Sequence, residues 1–255
     1  MTSLHYLDPN PSAACAVLLL HGLGADSASW TLQLPALAAA GFRPLAPDVA
    51  GFGQSGYDGR GWSIRRMAIQ MAGLLEDTAT GPAHVVGISM GGVIAQQFAL
   101  DFPGMIRRLV LANTFAVLRP ATTSGWFYFL RRLILVHTLG LAAQARFVAG
   151  RIFPEPHQAP LRELLISSIS RADPRAYRRA MVSLGTFDSR SRLAKIKAPT
   201  LVITGANDTT VGTLRQKSLA EAIPGARQVV IPEAGHAVSV DQADRFNREL
   251  LAFLA

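Results

Sequence analysis

Along the first half of the chain, short apolar runs alternate with stretches of helical length. Ala16-Val17-Leu18-Leu19-Leu20, Phe42–Pro47, His84–Ile88 and Ile106–Ala112 are the apolar runs. The first is apolar throughout, as a strand of a parallel sheet buried on both faces would be, and the others read as further short strands. Helical patterns separate them: Ser29–Ala40 closed by Gly41, Ser63–Asp77 with Ser63 as N-cap, and Met90–Phe102. From Arg119 the alternation stops. Four helical stretches follow, near Ser124–Val136, Leu141–Arg151, Ala159–Ser170 and Pro174–Ser183, punctuated by Gly140, Pro154, Pro156 and Pro160. After Pro199 the alternation resumes with strand Leu201–Thr204, helix Thr213–Ile223, strand Gln228–Ile231 and a last helix Asp241–Leu254, with Asp241 as N-cap. The pattern predicts an α/β core over residues 1–118 and 191–255, with a mostly parallel central sheet carrying helices on both faces. Residues 119–190 read as an inserted helical lid.

The strand His84–Ile88 runs into Gly87-Ile88-Ser89-Met90-Gly91, a G-x-S-x-G turn that opens an apolar helix. Such an elbow holds its serine in a strained backbone conformation, and the flanking glycines let strand and helix approach closely. The helix N-terminus behind Ser89 directs N–H groups and partial positive charge towards it, which suits a developing oxyanion.

A serine hydroxyl needs a base in reach, and the base needs an orienting group. Of the six histidines, His5 lies in the N-terminal segment, His84 opens the elbow strand, and His137 and His157 fall in the lid. His21 sits at the right sheet edge but precedes the turn Gly22-Leu23-Gly24, so it reads as a loop-shaping hydrogen bonder. His236, after Gly235 in a loop following the last strand, remains as general base. In an elbow architecture the acid lies between serine and histidine in the chain. Asp208, at the carboxyl end of the strand Leu201–Thr204, is the candidate, and Asp188 near the end of the lid is its rival. The acid fixes the imidazole tautomer and stabilises the imidazolium. The backbone N–H groups of Leu23 and Met90 would form the oxyanion hole.

Composition narrows the classes. The formal charge is +8 over 255 residues, which raises nucleic acid or an anionic membrane as partner. Between Arg119 and Arg192 stand twelve Arg, no Lys and four acids, so that segment holds the whole excess. Solvated lid faces account for it, and no nucleic-acid partner is expected. The glycine-rich loop Asp48–Ser55 lacks the lysine of a phosphate-binding loop, and no dinucleotide fingerprint opens a helix. No metal motif is present and Cys15 is the only cysteine. No cofactor is therefore expected. Met1–Tyr6 shows no leader pattern, and Val17–Leu20 and Trp126–Val136 are too short to span a bilayer. These features lead us to expect a cytoplasmic protein with no stable membrane insertion. Its oligomeric state is not legible.

His21-Gly22-Leu23-Gly24, Asp48-x-x-Gly51-x-Gly53-x-Ser55, Gly87-x-Ser89-Met90-Gly91-Gly92, Gly205-x-x-Asp208 and Gly235-His236 occur in an order and spacing that resembles the α/β-hydrolase superfamily. The likeness covers nearly the whole chain outside the lid. It implies Ser89 as nucleophile, Asp208 as acid, His236 as base, and Leu23 and Met90 as oxyanion donors. Leu109–Thr114, Ala222–Ala226 and the stretch after His236 look similar to the carboxylesterase and 3-oxoadipate enol-lactonase branch. Ala237 stands where C–C bond hydrolases of aromatic catabolism often carry Trp, and Ser89 in place of Asp argues against epoxide hydrolases and haloalkane dehalogenases.

The resulting expectation is a serine hydrolase of small-molecule carboxylic esters or lactones. Enol-lactone or C–C bond hydrolysis and a non-catalytic binding protein of the same fold are the rivals. Trp126-Phe127-Tyr128-Phe129-Leu130 is the most aromatic part of the lid. Its rings either pack the lid to the core or line an apolar pocket. At helical spacing Trp126, Phe129, Leu130 and Leu133 share a face, while Arg131 and Arg132 point elsewhere. Trp126, Phe129, Val211 and Val238 are the candidate substrate-binding positions.

Overall fold

The computed structural model describes residues 4–118 and 123–255. The leader reading of residues 1–3 and the proposed boundary at 118/119 therefore fall wholly or partly outside the described residues. Seven strands form one sheet: β1 (Tyr6–Leu7), β2 (Cys15–Leu20), β3 (Phe42–Pro47), β4 (Ala83–Ile88), β5 (Ile106–Ala112), β6 (Thr200–Gly205) and β7 (Arg227–Ile231). Their order is β1-β3-β2-β4-β5-β6-β7. All pairings are parallel except β1 against β3, which is antiparallel. The short edge strand β1 is absent from the sequence reading, because two residues carry no periodicity.

Both faces of the sheet are buried, and the period of two sorts the side chains between them. Val17, Leu19, Val86, Val110, Ala112 and Ile203 point into one core with Trp30, Leu37 and Phe246. Leu18, Leu20, Val85, Leu109 and Leu111 point into the other. The first core is covered by α1 (Leu34–Ala39) and α10 (Ala243–Leu254), and the second by α2 (Ile64–Asp77), α3 (Met90–Asp101) and α8 (Thr213–Ala222).

Four helices fall between β5 and β6: α4 (Thr123–Thr138), α5 (Gly140–Ile152), α6 (Ala159–Arg171) and α7 (Pro174–Thr186). Their spans follow the apolar pattern to within a few residues. They join the second core through Ile169, Tyr177, Met181 and Leu184, with the Tyr177 ring 6.3 Å from that of Phe52. No helix among the described residues is long and apolar enough to cross a membrane.

One predicted helix and one predicted cap differ in the structure. The expected Ser29–Ala40 helix is a 3₁₀ turn, Ser27–Trp30, followed by α1. Asp26 caps the turn by accepting from the Ala28 N–H, and Pro35 restarts the chain as a separate helix in its first turn. Asp241 does not cap the last helix. It ends a short helix, α9 (Val238–Asp241), and its carboxylate accepts from the Gly235 N–H at 2.8 Å and from Gln158 at 3.1 Å. Ser63 does cap α2, accepting from the Arg66 N–H at 3.2 Å.

Candidate active site

Ser89 stands between the end of β4 and the start of α3 with φ +53°, a left-handed conformation that is uncommon outside glycine. The crossing is tight enough to require its glycines. A β-carbon on Gly87 would collide with the Gly91 backbone, and one on Gly91 with the Leu20 carbonyl. The serine is held from both sides: its N–H donates to Ala112 O at 3.0 Å, and Thr114 Oγ1 donates to its carbonyl at 2.7 Å.

The turn after β2 lies directly beside it. A β-carbon on Gly22 would stand 3.6 Å from that of Ser89. His21 shapes this turn from a fully buried position, its Nε2 accepting from the Val49 N–H at 3.0 Å while Nδ1 meets the Gly22 carbonyl at 2.8 Å. Burial lowers its pKa, so the ring is neutral in this role. Among the described residues neither the Leu23 nor the Met90 amide has a hydrogen-bond acceptor, which leaves both available to an oxyanion.

Loops at the carboxyl ends of β6 and β7 bring Asp208 and His236 together. Nδ1 of His236 lies 3.1 Å from each Asp208 carboxylate oxygen. The carboxylate also accepts from the N–H groups of Thr210 at 2.8 Å and Val211 at 3.1 Å, and from Gln216 at 2.9 Å. Burial pushes the Asp208 pKa up, but the adjacent imidazole and these N–H donors outweigh it and hold the carboxyl below its ordinary value. An ionised Asp208 places the ring proton on Nδ1 and leaves Nε2 as the acceptor. The rival Asp188 is not part of this group. It pairs with Arg190 at 2.6 Å, and its backbone bridges to Val117.

Asn113, which the sequence reading did not single out, joins the two loops. Its fully buried side chain donates to the carbonyls of Gly235 and His236, each at 2.8 Å, and accepts from the Gly205 N–H at 2.8 Å. It sits at φ +43° just past β5, a conformation that asparagine tolerates. The available signal was an Asn-Thr pair closing an apolar strand.

Ser89, His236, Gly22 and Leu23 share the wall of a cavity of about 850 Å³, whose outer part comes from α4–α7. Of the expected substrate-binding positions, Phe129 and Val211 line it. Trp126 and Val238 do not. Trp126 is 57% exposed, because the inward face of α4 carries Phe129 and Arg132 rather than the Trp126–Leu130 edge. Val238 is fully buried in the core beside Phe246. Arg132, expected to point away, also lines the cavity. Among the described residues no group of three His, Cys, Asp or Glu side chains could hold a metal ion.

Comparison with known proteins follows the same lines. Residues 17–249 match the model of the alpha/beta hydrolase family. A protein of Variovorax paradoxus (strain S110) named "Putative carbamate hydrolase RutD" is 36% identical over 259 residues, covering 99% of this chain and 96% of its own. The enol-lactonase from Burkholderia xenovorans LB400 superposes with a TM-score of 0.91 at 28% identity, covering 99% of this chain and 96% of that one. A thermophilic esterase from Thermogutta terrifontis, solved with malate bound, gives 0.85 at 28% identity, covering 98% and 92%. The chain belongs to the alpha/beta hydrolase family and is a hydrolase of that type.

Proposed function

We propose that this hydrolase cleaves carboxylic esters through an acyl-enzyme on Ser89. The observation that carries the reading is the Asp208–His236 pair at 3.1 Å in the same cavity wall as Ser89 and the open Leu23 amide. Ser89 Oγ attacks the ester carbonyl as its proton passes to His236 Nε2. The oxyanion is held by the N–H groups of Leu23 and Met90. The imidazolium, stabilised by Asp208, returns the proton to the leaving alkoxide. The neutral imidazole then takes a proton from water as the water oxygen attacks the acyl-enzyme, and passes that proton to Ser89 Oγ as the acid leaves. Helices α4–α7 act as the lid, enclosing the acyl group against Phe129 and Val211. The substrate is a free small molecule met in the cytoplasm, and no cofactor takes part.

The neighbouring enol-lactonase and the relatives named for carbamate hydrolysis support two variants of the same chemistry, since a lactone and a carbamate present the same kind of carbonyl to the serine. Labelling by a fluorophosphonate, abolished in Ser89→Ala, tests the nucleophile. Rates on p-nitrophenyl esters, lactones and aryl carbamates test the bond. Fluorophosphonate labelling undiminished in Ser89→Ala, or no turnover on any of the three series, would sink the proposal.

A further inference from the structure

Arg132 puts a positive charge into a cavity whose inner wall is otherwise mostly apolar, among Leu23, Ile88, Phe115, Phe129, Val148 and Leu184. Among the described residues the half-buried guanidinium is held by neutral groups. The hydrogen-bond network turns the Gln144 amide oxygen towards it, accepting from Nε at 2.8 Å and Nη2 at 3.1 Å. Nη2 also reaches the Tyr177 hydroxyl at 3.4 Å, and the Tyr128 ring lies 5.8 Å from the guanidinium carbon. Gln144 and Tyr177 are themselves fully buried. No carboxylate among the described residues pairs with Arg132. A charge partly withdrawn from water normally has a counter-charge. Here the protein positions the fork rigidly and leaves the counter-charge out.

The other arginines on the wall are engaged differently. Arg171, exposed at the rim, pairs with Asp26, the cavity's own carboxylate, at 3.4 Å. Arg151 is exposed, donating to the Thr209 carbonyl at 2.6 Å and stacking 4.4 Å over Tyr128. Arg215 donates to the Val211 carbonyl at 3.0 Å. Tyr177 also gives the position of Arg132 relative to the chemistry. Its ring edge would stand 3.1 Å from a β-carbon on Gly24, in the turn beside Ser89, while its hydroxyl meets Arg132. One tyrosine ring therefore separates the guanidinium from the Gly22–Gly24 turn.

Resting on the ester reading, we infer that Arg132 is a carboxylate subsite and that the preferred substrate is a half-ester of a short dicarboxylic acid. Its ester carbonyl lies at Ser89, its methylenes lie along Phe129, and its free carboxylate lies on the Nη1 side of Arg132, whose Nε–Nη2 edge is anchored by Gln144. Arginine suits this role because one edge of its guanidinium can be anchored by Gln144 while the remaining donors stay aimed at a carboxylate.

The test has a binding arm and a kinetic arm, on wild type, Arg132→Gln, Arg132→Lys and the rim control Arg171→Gln, each checked for a native melting transition. Glutarate binding by calorimetry needs no catalysis. Losing a charge-assisted contact of this kind costs roughly 10- to 100-fold in affinity, so Arg132→Gln should weaken glutarate by that factor. Arg132→Lys should recover part of it, and Arg171→Gln should stay near wild type. The ratio of kcat/KM for mono-p-nitrophenyl glutarate over p-nitrophenyl butyrate should favour glutarate in wild type and fall by a similar factor in Arg132→Gln. Glutarate affinity indifferent to residue 132, or absent in wild type, overturns the subsite even if esters are cleaved. Arg132-dependent glutarate binding with no cleavage of either ester leaves the subsite standing and removes the ester reading. If Arg132→Gln does not fold, the lysine variant decides: undiminished affinity there overturns the guanidinium site.

Discussion

The side-chain amide of Asn113 donates to the main-chain carbonyl of His236 at 2.8 Å, and its oxygen accepts from Gly205 at 2.8 Å. One residue at the end of β5 thus spans the loop that carries Asp208 and the loop that carries His236. Both loops end neighbouring parallel strands, so a single buried amide reaches each. Asn113→Ala leaves buried carbonyls and an N–H without partners, at about 1–3 kcal/mol for each such group. We expect a clear fall in the urea midpoint together with a kcat loss larger than any change in KM. A kcat equal to wild type would remove Asn113 from the positioning of His236.

Ser89→Ala should lose on the order of 10⁶-fold in turnover, by analogy with nucleophile knock-outs in other serine hydrolases. The backbone adds a second expectation. At φ +53° an alanine keeps the strain and a glycine relieves it, so Ser89→Gly should be more stable than Ser89→Ala by about 1 kcal/mol. Retention of a tenth of wild-type turnover by either variant would rule out Ser89 as nucleophile.

Asp208→Asn should cost on the order of 10⁴-fold in kcat through the wrong imidazole tautomer, while Asp188→Asn, on the far ion pair with Arg190, should stay near wild type. The folded-state pKa of Asp208 is depressed. Its contribution to stability is therefore present above the ordinary aspartate range and is lost as pH falls through the folded value. Melting temperatures on the acid side should fall less steeply in Asp208→Asn than in wild type. A crippled Asp188→Asn with an active Asp208→Asn would reverse the assignment of the acid.

His84 supplies a pH effect away from the site. Burial, with the charges of Arg108 and Arg107, lowers its pKa from 6.5 to about 4. The folded state thus binds this proton less readily than the unfolded one, and stability drains away as pH falls from 6.5 towards 4. Its Nδ1 is buried without a partner, and its ring meets Phe42 edge-on at 5.7 Å. His84→Phe should fold and show a shallower decline of Tm across that window. Parallel declines for the two proteins would remove His84 as the cause.

Phe129 and Trp126 separate cavity from surface on one helix. Each added methylene buried by the acyl chain is worth about 0.8 kcal/mol, roughly fourfold in kcat/KM. Wild-type rates on p-nitrophenyl esters should therefore rise from acetate to butyrate. Phe129→Ala should flatten that rise while acetate is still cleaved, and Trp126→Ala should leave the profile as it was. A profile that flattens in Trp126→Ala instead would place the wrong ring in the cavity.

The strand–helix alternation and the four helices after β5 were legible because both rest on local periodicity, and the elbow at Ser89 because its glycines and helix start adjoin it in sequence. Asp208 and His236 were legible as loop residues closing strands, in an order along the chain. Contacts among distant residues were not. Whether Trp126 or Arg132 faces inward depends on how α4 rotates against α5 and α7, and a helix that mixes aromatic and basic residues all round has no single apolar stripe to fix that rotation. Asn113 joins positions 92 and 123 residues away, and Asp241 turns back to Gly235 rather than capping the helix ahead. Those choices follow from which buried N–H and carbonyl groups need partners once the sheet has formed, a demand that arises only in three dimensions.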